Sequence, residues 1–283
     1  MGGKMKRICL LVVCSCVVTG TSPACATIVY GVGSFGSEGV YVVDTDAITT
    51  TLLFATPGII WYGATDGDNT TTFFATPDGG SLYRIDVVSN TATAIGTFGG
   101  AQINGLAYNE SDGVLYGTDN ANLYSIDIAS GTPTLIGSLN GPEAVWAIDY
   151  DASIDKLVAV NNDNESMYYV DMITGNATLV GSTGQTRITD IWYDTVSGSM
   201  FGVGSYPHRL FSIDTATGAA TTIGTIDEAL TGLGNPIPEP ASIFLLALAG
   251  LALRREHRKL ARCRKCAREL RRTQTCGGQY PHC

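Results

Sequence analysis

The 283-residue sequence predicts an all-β protein: a five-bladed β-propeller of four-stranded blades, closed by strands from the N- and C-terminal ends of the repeat array. One phrase recurs five times, as Tyr41-Val-Val-Asp44, Tyr83-Arg-Ile-Asp86, Tyr124-Ser-Ile-Asp127, Tyr168-Tyr-Val-Asp171 and Phe211-Ser-Ile-Asp214, with its aspartates 42, 41, 44 and 43 residues apart. Each period holds four short runs rich in β-branched and aromatic residues, here termed strands A to D, with turn residues between them and no helical periodicity. The array opens with strands B, C and D only and finishes with a lone strand A, so one blade is built from both ends. A period of this length with four strands is that of a propeller blade, and joining the ends removes the exposed sheet edges of an open array.

The elements follow in chain order. Residues 1–26 carry Lys4, Lys6 and Arg7, an apolar run from Ile8 to Val18, and the small-x-small site Ala24-Cys25-Ala26, the build of a secretory signal cut after Ala26. The apolar run is short for a retained anchor. A lipidated Cys25 is the weaker reading, because Ser22-Pro23-Ala24 lacks the Leu-type residue expected before such a site.

The ring is assigned to residues 27–235. Its first blade runs Ile28 to Gly33, Val40 to Asp44 and Thr50 to Ala55, and a later strand A and strand B run Ile103 to Asn109 and Val114 to Asp119 around the turn Ser111-Asp112-Gly113. After strand C comes a second phrase, as in Ser130-Gly131-x-x-Thr134-Leu-Ile-Gly137, Thr174-Gly175-x-x-Thr178-Leu-Val-Gly181 and Thr217-Gly218-x-x-Thr221-Thr-Ile-Gly224. The second blade has Asn90 at the turn glycine, the other residue that tolerates positive φ, whereas the first has Ile48. The five aligned aspartates, 44, 86, 127, 171 and 214, end strand C before a tight turn and are expected to accept local backbone N–H groups. Ala229 to Gly234 is the lone strand A; a solenoid, the alternative architecture, would end in polar caps instead.

Charge excludes several functions. Residues 27–235 hold 23 Asp and Glu against Arg84, Lys156, Arg187 and Arg209, a net of −19, which disfavours nucleic acid and anionic membrane surfaces as partners. The ring has one histidine, His208, and no cysteine, so a His-rich catalytic metal site cannot be assembled and a Ser-His-Asp device would need that one residue. His208 is expected as an exposed residue of a B–C turn. No glycine cluster precedes a helix to cradle phosphate. No catalytic residue and no resident cofactor are expected.

By analogy with other propellers, ligands bind where the B–C and D–A loops converge on the central channel. In this chain those loops supply Glu38, Asp78, Glu143, Asp163, Glu165, Asp227 and Glu228, with Arg187, His208 and Arg209 as a cationic minority. The oxygen-rich stretches Asp66-Gly-Asp68-Asn69 and Asn161-Asn-Asp163-Asn164-Glu165 offer hard ligands to Ca²⁺, though neither spells a full calcium loop. Trp61, Trp146 and Trp192 fall in strand A runs, where packing competes with sugar stacking as their role.

Residues 236–283 begin with Pro236-Ile237-Pro238-Glu239-Pro240, continue through an apolar segment 241–253, and end in a tail with ten Lys and Arg. The order of Pro238-Glu239-Pro240, apolar helix and Arg254-Arg255 resembles the C-terminal sorting signal of the PEP-CTERM family. The resemblance implies export, a transient inner-membrane anchor, and cutting near Pro-Glu-Pro by an exosortase-type enzyme, so that the ring reaches the cell surface or the extracellular space. The basic block after the apolar segment fits a cytoplasmic stop. Thirteen apolar residues reach roughly 20 Å, short of a hydrocarbon core of about 30 Å, so spanning calls on flanking residues or a thinned bilayer. The tail, with Cys263, Cys266, Cys276, His282 and Cys283, lacks the paired spacing of a zinc site. The repeat phrases are similar to those of secreted bacterial repeat proteins of unassigned activity. The expected function is an exported surface or matrix binding protein, with exopolysaccharide or a surface protein as partner; the alternative is a polysaccharide hydrolase or lyase with paired loop acids.

Overall fold

The computed structural model describes residues 27–78 and 80–236. The expected signal segment with its cleavage site at Ala26, and the sorting segment with Pro238, Glu239, Pro240, its apolar helix and basic tail, lie outside the described residues.

Among the described residues are twenty strands and no helix. The chain opens with β1 (Ile28–Gly33), β2 (Gly39–Asp44) and β3 (Thr49–Ala55). The second blade is β4 (Trp61–Thr65), β5 (Thr72–Pro77), β6 (Ser81–Asp86) and β7 (Thr91–Thr97); the third is β8 (Gly105–Asn109), β9 (Val114–Thr118), β10 (Asn122–Ile126) and β11 (Pro133–Ser138). The fourth is β12 (Val145–Asp151), β13 (Lys156–Asn161), β14 (Ser166–Val170) and β15 (Ala177–Ser182), and the fifth β16 (Ile188–Asp194), β17 (Ser199–Gly204), β18 (Arg209–Ile213) and β19 (Ala220–Thr225). The last strand, β20 (Leu230–Gly234), joins the first sheet in the order β20-β1-β2-β3, pairing antiparallel through Tyr30 with Gly234 and Val32 with Gly232. The five-bladed ring closed from both ends is therefore present as the sequence predicts. Ser34 N donates to Ala229 O at 3.0 Å and Gly67 N to Asn235 O at 2.9 Å, fastening the returning strand on both sides.

Hydrophobic cores lie between blades, because alternate residues of a strand face opposite neighbours. In the fourth blade Ile148, Leu157, Ala159 and Val170 pack with Ala107, Tyr116 and Leu123 of the third. The residues next to them, Ala147, Val158, Val160 and Met167, pack with Ile188, Ile191, Tyr193 and Phe211 of the fifth. Strands A and B are buried on both faces, whereas the outer strands β3, β7, β11, β15 and β19 share one half-exposed pattern, which is why they are rich in threonine.

The second repeat phrase acts between blades. A Cβ built on Gly137, the last residue of one phrase, would stand 2.2 Å from the carbonyl oxygen of Thr174, in the turn of the next blade; for Gly181 and Thr217 the distance is 2.1 Å and for Gly96 and Ser130 1.8 Å. Turn glycines 131, 175 and 218 at positive φ meet the same backbone from the other side. The two glycines of the phrase form a latch in which backbone touches backbone. Ile48 is held at φ 56 and lays its own side chain against Gly224, so the first blade replaces the turn glycine with an apolar contact. The strand C aspartates take the expected turns: Asp44, Asp86, Asp127, Asp171 and Asp214 each accept from the backbone N–H two residues on.

Candidate functional site

The inner strands β20, β4, β8, β12 and β16 surround the axis, and in four of them the ladder with strand B slips by one residue near its start. The extra residues are Tyr62 between Trp61 and Gly63, Trp146 between Val145 and Ala147, Thr189 between Ile188 and Asp190, and Thr231 between Leu230 and Gly232. A bulge re-aims a side chain, and all four of these line one cavity of about 520 Å³ at the end of the axis where the B–C and D–A loops meet. The Tyr62 and Trp146 rings lie 6.5 Å apart in its wall.

The loops add Phe35, Asn162, Asp163, Thr186, Arg187, Ser205 and Tyr206. Phe35 and Tyr206 are 60% and 63% exposed, and with Arg187 they are held at positive φ (56°, 54° and 60°), where a bulky side chain is strained. The Arg187 guanidinium sits 5.9 Å from the centre of the Tyr206 ring. Asn162 Oδ1 is buried with no hydrogen-bond donor among the described residues, an acceptor left for something else to satisfy.

Of the loop residues singled out from sequence, Asp163 and Arg187 line this cavity and the others lie outside its lining. Glu228 accepts from Ser37 Oγ at 2.6 Å and Glu38 from Gly36 N at 3.2 Å, both at the ring closure. Arg209 donates to Gln185 Oε1 at 3.2 Å and stacks 5.3 Å from the Phe211 centroid. His208 is half-buried, not exposed, because its ring meets Tyr206 edge-on at 5.9 Å. Asp78 stands at φ 45 in the β5–β6 turn. Glu143 and Glu165 contribute backbone carbonyls, to Asn161 Nδ2 and to Thr183 N, and Asp227 is exposed. Of the oxygen-rich stretches, Asp68 is bound by Arg84, and Asn161 Oδ1 accepts from Asp163 N and Asn164 N. Trp61 and Trp192 are buried in the core; Trp61 and Trp146 both belong to the cavity lining, and Trp192 lies outside it.

Of three aspartates that fill the axis, sequence reasoning passed over Asp149 and Asp190 and named Asp66 only as part of an oxygen-rich stretch suited to Ca²⁺. Inner strands have no ladder partner on their inner edge, so their N–H groups need acceptors. Asp149 Oδ2 accepts from Tyr193 N at 2.6 Å and Asp190 Oδ2 from Leu233 N at 2.7 Å; Thr65 Oγ1 accepts from Tyr108 N at 2.9 Å. Asp66 Oδ1 accepts from Asn235 N at 2.7 Å and Trp192 Nε1 at 2.8 Å. Asp190 has room because its register equivalents are Gly63, Gly105, Ala147 and Gly232. Burial raises all three carboxyls: Asp66 to about 7, Asp149 and Asp190 well above the usual range, with Asp66 adding to the rise of Asp149 and Asp149 to that of Asp190.

At the far end of the axis Asp66 opens onto a second cavity, of about 310 Å³, which it shares with Glu110 and with Tyr108, Tyr150 and Tyr193. A raised folded pKa means that the native state holds more protons than the unfolded chain between about pH 4 and the folded values, so stability falls as pH rises through that window. Backbone N–H groups hold Asp86, Asp127, Asp171 and Asp214 low instead, and their contribution is lost only on further acidification below about pH 4. Urea unfolding is therefore expected to show greater stability near pH 5 than near pH 7.5, with the slope reduced in Asp149→Asn; a flat profile in the parent would contradict neutral axial carboxyls.

A family model described as a Repeat of unknown function (DUF6923) matches residues 73–235, from β5 to the residue after β20. The PEP-CTERM protein-sorting motif matches residues 236–259. Curated proteins gave no match. Among solved structures, a chain of a nidogen/laminin complex is 11% identical at TM-score 0.53, over 73% of this chain and 97% of that one. A structural genomics protein of unknown function from Bacteroides thetaiotaomicron VPI-5482 is 18% identical at TM-score 0.49, over 76% of this chain and 65% of that one. The first of these likenesses bears on the fold alone.

Proposed function

The chain belongs to this family of repeats, with over half its length matched, and it carries the sorting motif of a protein exported and processed by an exosortase-type enzyme; from that premise we propose that the ring is a surface-delivered binding module for saccharide. The four bulged residues carry the reading. They place two aromatic rings and two threonines at one mouth of the axis, beneath the exposed rings of Phe35 and Tyr206. Aromatic faces stack on the C–H faces of sugar rings, while Asn162, Asp163 and Ser205 offer hydroxyl partners. Arg187 is the one cation in the lining and suits a carboxylate or sulfate substituent. Exopolysaccharide at the surface of the exporting cell is the partner this chemistry favours.

The alternative expected from sequence, a hydrolase or lyase, needs two carboxylates about 5 to 10 Å apart. The lining of this cavity offers Asp163 alone, which favours binding without turnover. The test is a screen of neutral and acidic oligosaccharides by calorimetry, followed by assay of each hit for cleavage. Trp146→Ala is expected to weaken a hit about tenfold or more, near 1.4 kcal/mol. Unchanged affinity in that variant, or cleavage of the bound chain, would count against the module.

Phe35→Gly separates strain from use. Glycine accepts φ 56 without penalty, so stability is expected to stay within about 1 kcal/mol of the parent in urea titrations while saccharide affinity drops.

A further inference from the structure

We propose that the 310 Å³ cavity at the other mouth of the axis, between Asp66, Glu110 and the rings of Tyr108, Tyr150 and Tyr193, is a second ligand site, specific for an organic ammonium group. Three of the five inner strands present tyrosine at one register position, Tyr108 opposite Leu115, Tyr150 opposite Leu157 and Tyr193 opposite Met200. The Tyr150 hydroxyl donates to Asp155 at 2.8 Å in its own hairpin, and the Tyr108 and Tyr193 hydroxyls lie over the turn glycines Gly113 and Gly198. With the hydroxyls directed at the hairpins, ring surface is left to form the cavity wall.

The carboxylates complete the site. Asp66 Oδ1 accepts from Asn235 N and Trp192 Nε1, whereas Oδ2 accepts from no donor among the described residues, and Asp66 lines the cavity. Glu110 lines the cavity beside it from the exposed rim. No Lys, Arg or His belongs to the lining, so two acids share a half-open, aromatic-walled cavity with no cation in its wall to balance them. An ammonium supplies that charge, and aromatic rings attract it further. A bare metal ion fits less well. Calcium asks for six to eight oxygens, the Ser111 hydroxyl is already given to Asn109 at 2.7 Å, and among the described residues no three His, Cys, Asp or Glu converge as metal ligands.

Binding should depend on pH, since Asp66 faces Glu110 and Asp194, with Asp149 behind it, and no cation among the groups that perturb it. Deprotonation near pH 7 admits the ammonium.

The test titrates pentylammonium, its neutral counterpart 1-pentanol, and CaCl₂ into the full-length chain by calorimetry. Pentylammonium is expected to bind at one site, with 1-pentanol at least about tenfold weaker and affinity falling roughly tenfold between pH 8 and pH 6. Glu110→Gln, an isosteric change at an exposed side chain, should weaken pentylammonium about fivefold or more while its urea midpoint stays near the parent's. Asp66→Asn keeps an acceptor for Asn235 N and should abolish the pH dependence. Equal binding of pentanol, affinity unchanged in Glu110→Gln, or Ca²⁺ binding that excludes the ammonium would each overturn the assignment.

Discussion

Deleting residues 229–236 is expected to abolish cooperative unfolding of the ring, with the loss of far-UV and near-UV circular dichroism melts as the readout. The deletion removes Leu230 and Leu233, both buried in the core between the fifth and first blades, at about 1.5 to 3 kcal/mol each. It also removes the partner of β1, the Thr231 bond to Trp61 O at 2.8 Å, and the N–H groups of Leu233 and Asn235 that Asp190 and Asp66 accept. Two carboxyls that each lose a backbone donor add to the apolar cost. Together these losses match the whole net stability of a typical domain, about 5 to 15 kcal/mol. A peptide of residues 229–236 supplied in trans should restore the melt. A deleted chain that still unfolds in one sharp transition would refute ring closure as the stabilising element.

Gly137→Ala is expected to cost about 3 kcal/mol, as a fall in urea midpoint with little change in its slope. The added methyl would meet the Thr174 carbonyl at 2.2 Å, and backbone cannot swing aside as a side chain can. Relief requires the third and fourth blades to separate, which loosens the core shared by Leu123, Leu139 and Leu157. Gly80→Ala is the control, because its Cβ would find only Asp78 O, at 3.7 Å. Gly175→Ala strains the other half of the same latch at φ 79, so the double variant should be less damaging than the two costs added, since one displacement serves both. Strict additivity would show that the two glycines act separately.

The ring was legible in the sequence because it rests on what repeats: the Tyr-x-x-Asp spacing, the paired glycines and the unmatched end strands. The sites were not, because they rest on what does not repeat. Asp190 stands where other blades have Gly or Ala, and Asp149 where they have Thr65, Ala107, Trp192 or Gly234. An averaged phrase hides such departures. The bulges at Tyr62, Trp146, Thr189 and Thr231 were also hidden, since one added residue changes the facing of a side chain without altering composition. The loop charges drew attention, yet of them only Asp163 and Arg187 reach the cavity lining. Asp66 lay in plain sight within an acidic stretch, and its neighbour Asp68, held by Arg84, shows how little residue type alone says about solvent access.

The returning strand has a bearing on biogenesis. Asn235, which ties Ile28 O at 3.0 Å, is followed at once by the sorting motif from residue 236. No spacer separates the final staple of the fold from the region that the processing enzyme reads. Because β20 pairs with β1, the ring cannot close until the residues that adjoin the sorting motif are free to fold. The seal of the ring and the start of the sorting motif are therefore neighbours in the chain, so a change at residues 234–236 bears on both.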